Sequence, residues 1–320
     1  MLLMITILLT PLFIRNISAS TLTLTITTDK ITYTAGETVN IQGNLTLDGE
    51  PVHDAIIALE VDTKYGYYVF RTLKTGTVEH LNWLVEISDL YPCDMYGNRK
   101  EAFTRGSTGY VNITWKNKST TVQTVLTAIY LQFSTGSPFT VFYTIGQTSA
   151  NSSSYWIASF PIPSSSPYGT TTIYASLFTD FPKNGGVPYC PERNATFTIT
   201  STLNIASQPH ETQGISTSTP SFQTSILLPR TDLILDNYII YATCKYGTQA
   251  NAHKIFEAIL VGDINNDKKV DMIDIGFVSQ GYGSTPTSPN WDLRCDLNSD
   301  DKIDMKDIGI VCKYYGCTGA

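Results

Sequence analysis

From Thr21 to Leu260 apolar residues recur at every second position in short runs, and no long segment carries a 3.6-residue period. In "TVNIQGNL" (38–45), Val39, Ile41 and Leu45 share one face, with Gly43 between them. After a turn at Asp48-Gly49, Ala55, Ile57, Leu59 and Val61 take one face while Ile56, Ala58 and Glu60 take the other. "YVNITW" repeats the pattern with Val111, Ile113 and Trp115, "TTTIYASLF" with Ile173, Ala175 and Leu177, and "ATFTIT" with Phe197 and Ile199. Period two marks half-buried strands. Short strands with turn residues between them predict a mostly β chain of antiparallel sandwiches.

At 320 residues and 35.3 kDa the chain has length for two or three domains, each with its own core. An internal echo predicts related units. "FPIPSSSPYGTTTIYASLF" (160–178) resembles "LLPRTDLILDNYIIYATCKY" (227–246), and each is followed by a strand containing phenylalanine. The stretch 206–223, rich in Ser, Thr, Gln and Pro, reads as a linker or exposed loop. The expected division is a signal peptide at 1–20, sandwiches at 21–78 and 79–200, a linker with a short β unit at 201–260, and a separate module at 261–320.

The opening segment carries Tyr33, Gly36, Glu37, Val39, Ile41 and Gly43, then Gly49, Pro51, Val52 and Ala55. This resembles the first half of an immunoglobulin-like module of archaeal and bacterial surface proteins. The resemblance covers about 40 residues and implies a fold and a cell-surface setting, not a reaction.

Export is the expectation from several features. Leu2 to Ile14 is an apolar run too short to span a bilayer, and small residues follow at Ser18, Ala19 and Ser20. A cleaved signal would leave a secreted, surface-associated protein without membrane insertion. Sequons stand at Asn44, Asn112, Asn117, Asn151 and Asn194. The six cysteines form no CxxC pair, which favours disulfides over zinc. Cys93 ("YPCD") and Cys190 ("PYCPE") lie in matching Tyr/Pro turns and are one expected pair; a bridge among Cys295, Cys312 and Cys317 is another, with Cys244 also in reach. Net charge is −7 with no basic patch, so nucleic acid is not an expected partner.

The C-terminal part carries chemistry. Counting Asp263 as position 1 places Asn265 at 3, Asp267 at 5, Lys269 at 7, Asp271 at 9 and Asp274 at 12. Asp296, Asn298, Asp300, Lys302, Asp304 and Asp307 repeat the set 33 residues later. A 12-residue loop supplies calcium with side-chain oxygens at 1, 3, 5 and 12, a main-chain carbonyl at 7, and position 9 often through water. Two such loops predict two calcium ions, with metal binding coupled to folding because the carboxylates otherwise repel. Val270 and Ile303, at position 8, are expected to tie the loops together in a short β-bridge. Lys268 and Asp301 stand at position 6 in place of the usual glycine, and a positive φ there costs on the order of 1 kcal/mol.

Two such loops, each followed by one short helix, with a strand rather than a helix entering the first, resemble a dockerin over about residues 261–318. In that family Asp at position 12 is usual. The resemblance implies a small all-α calcium module that docks onto a cohesin-bearing scaffold or surface protein. The family's recognition positions map to Met272, Ile273, Met305 and Lys306, with Ser279, Gln280, Cys312 and Lys313 further along the helices. Met-Ile and Met-Lys replace the hydroxyl residues common in the cellulosomal form, implying a different class of cohesin. Ile275, Phe277, Val278, Ile308, Ile310 and Val311 have the spacing of core positions.

No HExxH, GxSxG or Cys/His arrangement appears, and the four histidines lie in turns or linker-like stretches. The chain is therefore expected to be non-catalytic. The alternative is an adhesive or carbohydrate-binding sandwich protein with purely structural calcium sites, in which Trp83, Trp115, Trp156 and some of the 19 tyrosines stack on polysaccharide.

Overall fold

The computed structural model describes residues 20–78, 82–201 and 221–320. The expected signal segment lies outside the described residues apart from Ser20, and so does the linker stretch up to residue 220.

The first sandwich packs two sheets. One runs β1 (Leu22–Thr28), β3 (Thr38–Leu47), β15 (Ser221–Leu227), with β4 (Glu50–Pro51) also paired to β3. The other runs β6 (Gly66–Lys74), β5 (Ile56–Thr63), β16 (Asn237–Tyr246), β17 (Thr248–Ile259), β2 (Thr32–Thr34). All pairings are antiparallel except β17 with β2. Val39, Ile41 and Leu45 point inward as the alternation predicts, facing Ile57, Leu59 and Val61 across the core. Gly43 is required in β3, because a Cβ there would stand 2.1 Å from the Thr25 carbonyl oxygen and 2.3 Å from the Phe222 ring.

The second sandwich is inserted between β6 and β15. Its sheets run β12 (Ser153–Pro161), β9 (Thr108–Asn117), β7 (Val85–Cys93) and β11 (Pro138–Thr148), β10 (Gln123–Phe133), β13 (Gly169–Phe178), β14 (Arg193–Thr200), β8 (Ala102–Thr104). The five-stranded sheets of the two sandwiches have one topology: β10-β13-β14-β8 repeats β5-β16-β17-β2, down to the parallel last pair. The sequence echo falls on β13 and β16, equivalent central strands of the two units.

This corrects the expected boundaries. Residues 221–259 are not a separate short unit; they supply β15, β16 and β17 to the first sandwich. Without them Val39 and Leu59 would lack Ile226, Tyr238 and Ile240 to pack against. The sandwiches are nested, and their contact buries a third cluster of Ala58, Phe70, Leu126, Ala128, Phe178 and Phe181. For that reason β5 is buried on both faces, not half-buried as its alternation suggests. Tyr67 stacks on Phe181 with ring centroids 4.8 Å apart.

Two helices, α1 (Met272–Gln280) and α2 (Met305–Tyr314), form the C-terminal module. Their inward residues Val278, Val311 and Tyr314 join one continuous core with Leu228 and Leu233 of the first sandwich. Ile275, Phe277, Ile308 and Ile310 are half-buried against it.

Candidate calcium loops and docking face

Each helix begins where its loop ends. Asp271 is the N-cap of α1, accepting from Ile273 N–H, while Asp274 reaches back to the Asp271 N–H; Asp304 and Asp307 do the same for α2. Positions 9 and 12 thus double as capping boxes, a D-x-x-D signal that the sequence carries in both copies.

The two loops are near copies. Asp274 Oδ1 accepts from Ile264 N–H at 2.8 Å and Oδ2 from Asp271 N–H at 2.8 Å; Asp307 accepts from Leu297 and Asp304 N–H at the same distances. Both carboxylates are fully buried. Asp263 accepts from the N–H groups of Asp267 and Lys268, and Asp296 from those of Asp300 and Asp301. Asn265 and Asn298 each donate to the aspartate two residues on. Left-handed turns occur at matching places, Asn266 (φ 58°) and Lys268 (φ 67°) against Ser299 (φ 55°) and Asp301 (φ 62°). Position 6 therefore takes the positive φ without glycine.

Among the described residues no three acidic or imidazole groups converge on one point. Position 3 is a carboxamide and position 7 offers a main-chain carbonyl, so carboxylates alone do not make the site. Burial pushes the Asp263 carboxyl up from its ordinary value, with Asp274 and Asp267 adding repulsion against the pull of two backbone N–H groups. An all-oxygen donor set coiled around shared carboxylates fits a hard cation. The residues that would hold one are Asp263, Asn265, Asp267, Lys269 (carbonyl), Asp271 and Asp274, and in the second loop Asp296, Asn298, Asp300, Lys302 (carbonyl), Asp304 and Asp307.

The loops do not bridge to each other as expected. Val270 exchanges backbone bonds with Gly316 and Cys317, after α2, and Ile303 with Gly283 and Ser284, after α1. Each loop is laced to the chain leaving one of the helices, which ties the module together by exchange.

Residues 261–315 match the family model described as "Dockerin type I domain". The C-terminal module is a dockerin. The dockerin itself is non-catalytic, and its family binds calcium and docks onto cohesin. No curated protein sequence matches this chain. Similar solved structures include the alkylpurine DNA glycosylase AlkC of Pseudomonas fluorescens (12% identity, 38% of this chain and 31% of that one, TM-score 0.28). They also include the C-terminal domain of wzt (10% identity, 43% and 91%, TM-score 0.32). A Niemann-Pick type C2 protein from Japanese carpenter ant is a third (13% identity, 38% and 98%, TM-score 0.27). This chain spans about a third of the glycosylase. Likenesses this slight assign nothing to the sandwiches.

On the dockerin, Met272, Ile273, Ser279, Gln280, Met305, Lys306, Cys312 and Lys313 are all exposed. Met272, Ile273 and Met305 are 64%, 54% and 63% exposed, an unusual share for apolar side chains placed at matching loop exits. The Lys306 ammonium lies 2.7 Å from Asp300 Oδ2 and holds that carboxyl below its usual range. Ile273 stands at the equivalent place in the first copy, so only the second loop has this cation.

None of the expected disulfides is present: Cys93, Cys190, Cys244, Cys295, Cys312 and Cys317 are all free. Cys190 packs in the second core and Cys244, Cys295 and Cys317 in the first, each as a small apolar side chain. Burial pushes the Cys295 thiol up to about 11 and the Cys244 thiol to about 12. Sequence reading also missed Arg294, whose Nη1 donates to the Ile264 carbonyl and joins the second repeat to the first loop, and Arg230, whose Nη2 donates to the Lys313 carbonyl. Neither belongs to a repeat, so neither had a sequence signal.

Proposed function

We propose that this chain is a secreted, non-catalytic, surface- or scaffold-associated protein whose dockerin takes up two calcium ions and docks onto a cohesin. The observation that carries the reading is the duplication of the loop geometry: the same carboxylate bonds, left-handed turns and capping boxes occur twice, 33 residues apart. When bound, the ions would supply the positive charge that holds the loop carboxylates together. The chain's own residues do the rest. Asp271 and Asp304 start the helices, Val278 and Val311 pack them, and Met272, Ile273 and Met305 are left facing solvent.

The docking partner this face fits has an apolar surface. Methionine is flexible and polarizable and adapts to such a surface, whereas hydroxyl side chains would ask for polar partners. Ser279, Gln280, Lys306 and Lys313 would form the polar rim. The carbohydrate-binding alternative lacks comparable support, because Trp115 is buried and Trp83, Trp156 and Trp291 pack against the cores.

The test is a calorimetric calcium titration of the full chain, together with its retention on immobilised cohesin modules with and without chelator. Two ions and calcium-dependent retention are expected. Two ions with no retention on any cohesin class would leave the sites purely structural and overturn the docking reading.

A further inference from the structure

Residues 316–320 leave α2 and run between the first calcium loop and the segment 230–233 of the first sandwich. On one side Val270 N–H donates to the Cys317 carbonyl, Gly316 N–H to the Val270 carbonyl, and Gly319 N–H to the Lys268 carbonyl at 2.9 Å. On the other side Thr318 N–H donates to the Arg230 carbonyl, Leu233 N–H to the Thr318 carbonyl, and Asp232 N–H to Thr318 Oγ1. The segment is thus the middle strand of three, with bridges from Lys269 to Thr318 and from Leu233 to Gly319.

The fit leaves no slack. A Cβ at Gly319 would stand 2.5 Å from Leu235 Cδ1. Leu233, Val270 and Cys317 are buried in the core that the sandwich and the dockerin share. Lys268 explains its own presence at position 6. Its Nζ lies 2.9 Å from the Ala320 carbonyl oxygen, so the residue that strains the loop also grips the strand.

The second loop has no counterpart. Ile303 bonds Gly283 and Ser284 within the dockerin, and among the described residues no hydrogen bond joins residues 283–303 to either sandwich. Of the two loops, therefore, only the first is hydrogen-bonded to the strand that meets the sandwich; the second repeat reaches the sandwich from α2, through Arg230 Nη2 to the Lys313 carbonyl and the packing of Val311 and Tyr314.

We propose that residues 316–320 are a latch that transmits calcium loading of the first loop, and not of the second, to the first sandwich. The inference rests on the calcium reading above. An ion in the first loop sets the backbone at 268–270, that backbone sets the middle strand, and the middle strand holds 230–233. The orientation in which the docking face is presented then depends on the first site, while the second site governs only the dockerin's own folding.

The experiment is hydrogen exchange on the full chain, reading the amides of Asp232 and Leu233, with calorimetry on each variant to count bound ions. With calcium at 100 times its Kd, full transmission slows exchange at Leu233 by up to about 100-fold. Asp263→Ala is expected to abolish that slowing, and Asp296→Ala to leave it. Gly319→Val is expected to abolish it while two ions still bind; Thr318→Val, a milder change, removes the slowing at Asp232. Equal losses from Asp263→Ala and Asp296→Ala, or full slowing in Gly319→Val, would overturn the latch. Two ions bound with no change at Leu233 would overturn the latch alone, whereas no calcium uptake would overturn the calcium reading and the latch with it.

Discussion

Arg71 of β6 and Glu192, just before β14, close on each other across the joint between the sandwiches, Nη2 to Oε1 2.6 Å, each side chain 14% exposed. Arg71 Nε also reaches the carboxylate, Thr72 N–H donates to Oε2 at 2.9 Å, and the guanidinium lies 3.8 Å from the Tyr174 ring centroid. Both charges are satisfied several times over, which is the condition under which a desolvated pair holds.

Removing one partner is therefore expected to cost more than removing both. Glu192→Ala leaves a buried guanidinium alone and should destabilise the chain by about 3–5 kcal/mol in denaturant unfolding. The double variant Arg71→Met/Glu192→Leu should recover most of that loss. A double variant as unstable as Glu192→Ala would mean the pair is not what joins the sandwiches.

Glu60 predicts a pH dependence. It is fully buried on β5, where burial pushes its carboxyl up to about 8, against the pull of the Lys183 backbone N–H, with Asp62 adding to the rise. Lys183 Nζ prefers Asp62, at 2.9 Å. Between the ordinary carboxylate value near 4.5 and about 8 the folded chain binds the extra proton, so this group's stabilisation is complete below that window and is lost as pH rises through it. Glu60→Gln should match the native chain at low pH and exceed its stability increasingly towards pH 8. Parallel pH profiles by thermal unfolding would contradict this.

Asn117 should behave as a structural residue despite its sequon. It is fully buried, its amide donates to the carbonyls of Thr121, Thr148 and Ser149, and its Oδ1 accepts from Ser119. Asn117→Ala orphans those groups and is expected to cost about 2–4 kcal/mol. Peptide mass spectrometry of the folded protein should find Asn117 unmodified, with Asn44, Asn151 and Asn194 as the exposed sequons.

The docking face gives the fourth expectation. Met272→Asp and Met305→Asp should each weaken cohesin binding by at least about 1 kcal/mol in a titration. Neither side chain is buried, so stability should stay within about 0.5 kcal/mol of the native chain. Unchanged affinity in both would place the contact elsewhere on the dockerin.

Sequence spacing determined the local geometry. The alternation of Val39, Ile41 and Leu45 said which face is buried, and the repeated polar spacing at 263–274 and 296–307 marked the two loops, because side-chain period and residue spacing are properties of neighbouring residues. The same reasoning placed Met272 and Met305 at matching exits. What it did not contain was the identity of distant partners. That β5 pairs with β16 across an inserted sandwich, that Glu60 on its other face is buried, and that Val270 and Ile303 bond to the chain beyond the helices all follow from non-local contact. The six cysteines make the same point. Their even number suggested bridges, but all six are free thiols: four are packed in two cores, Cys93 is buried outside both and Cys312 is exposed. Local pattern tells a strand which way to face; only the assembled core decides what it meets there.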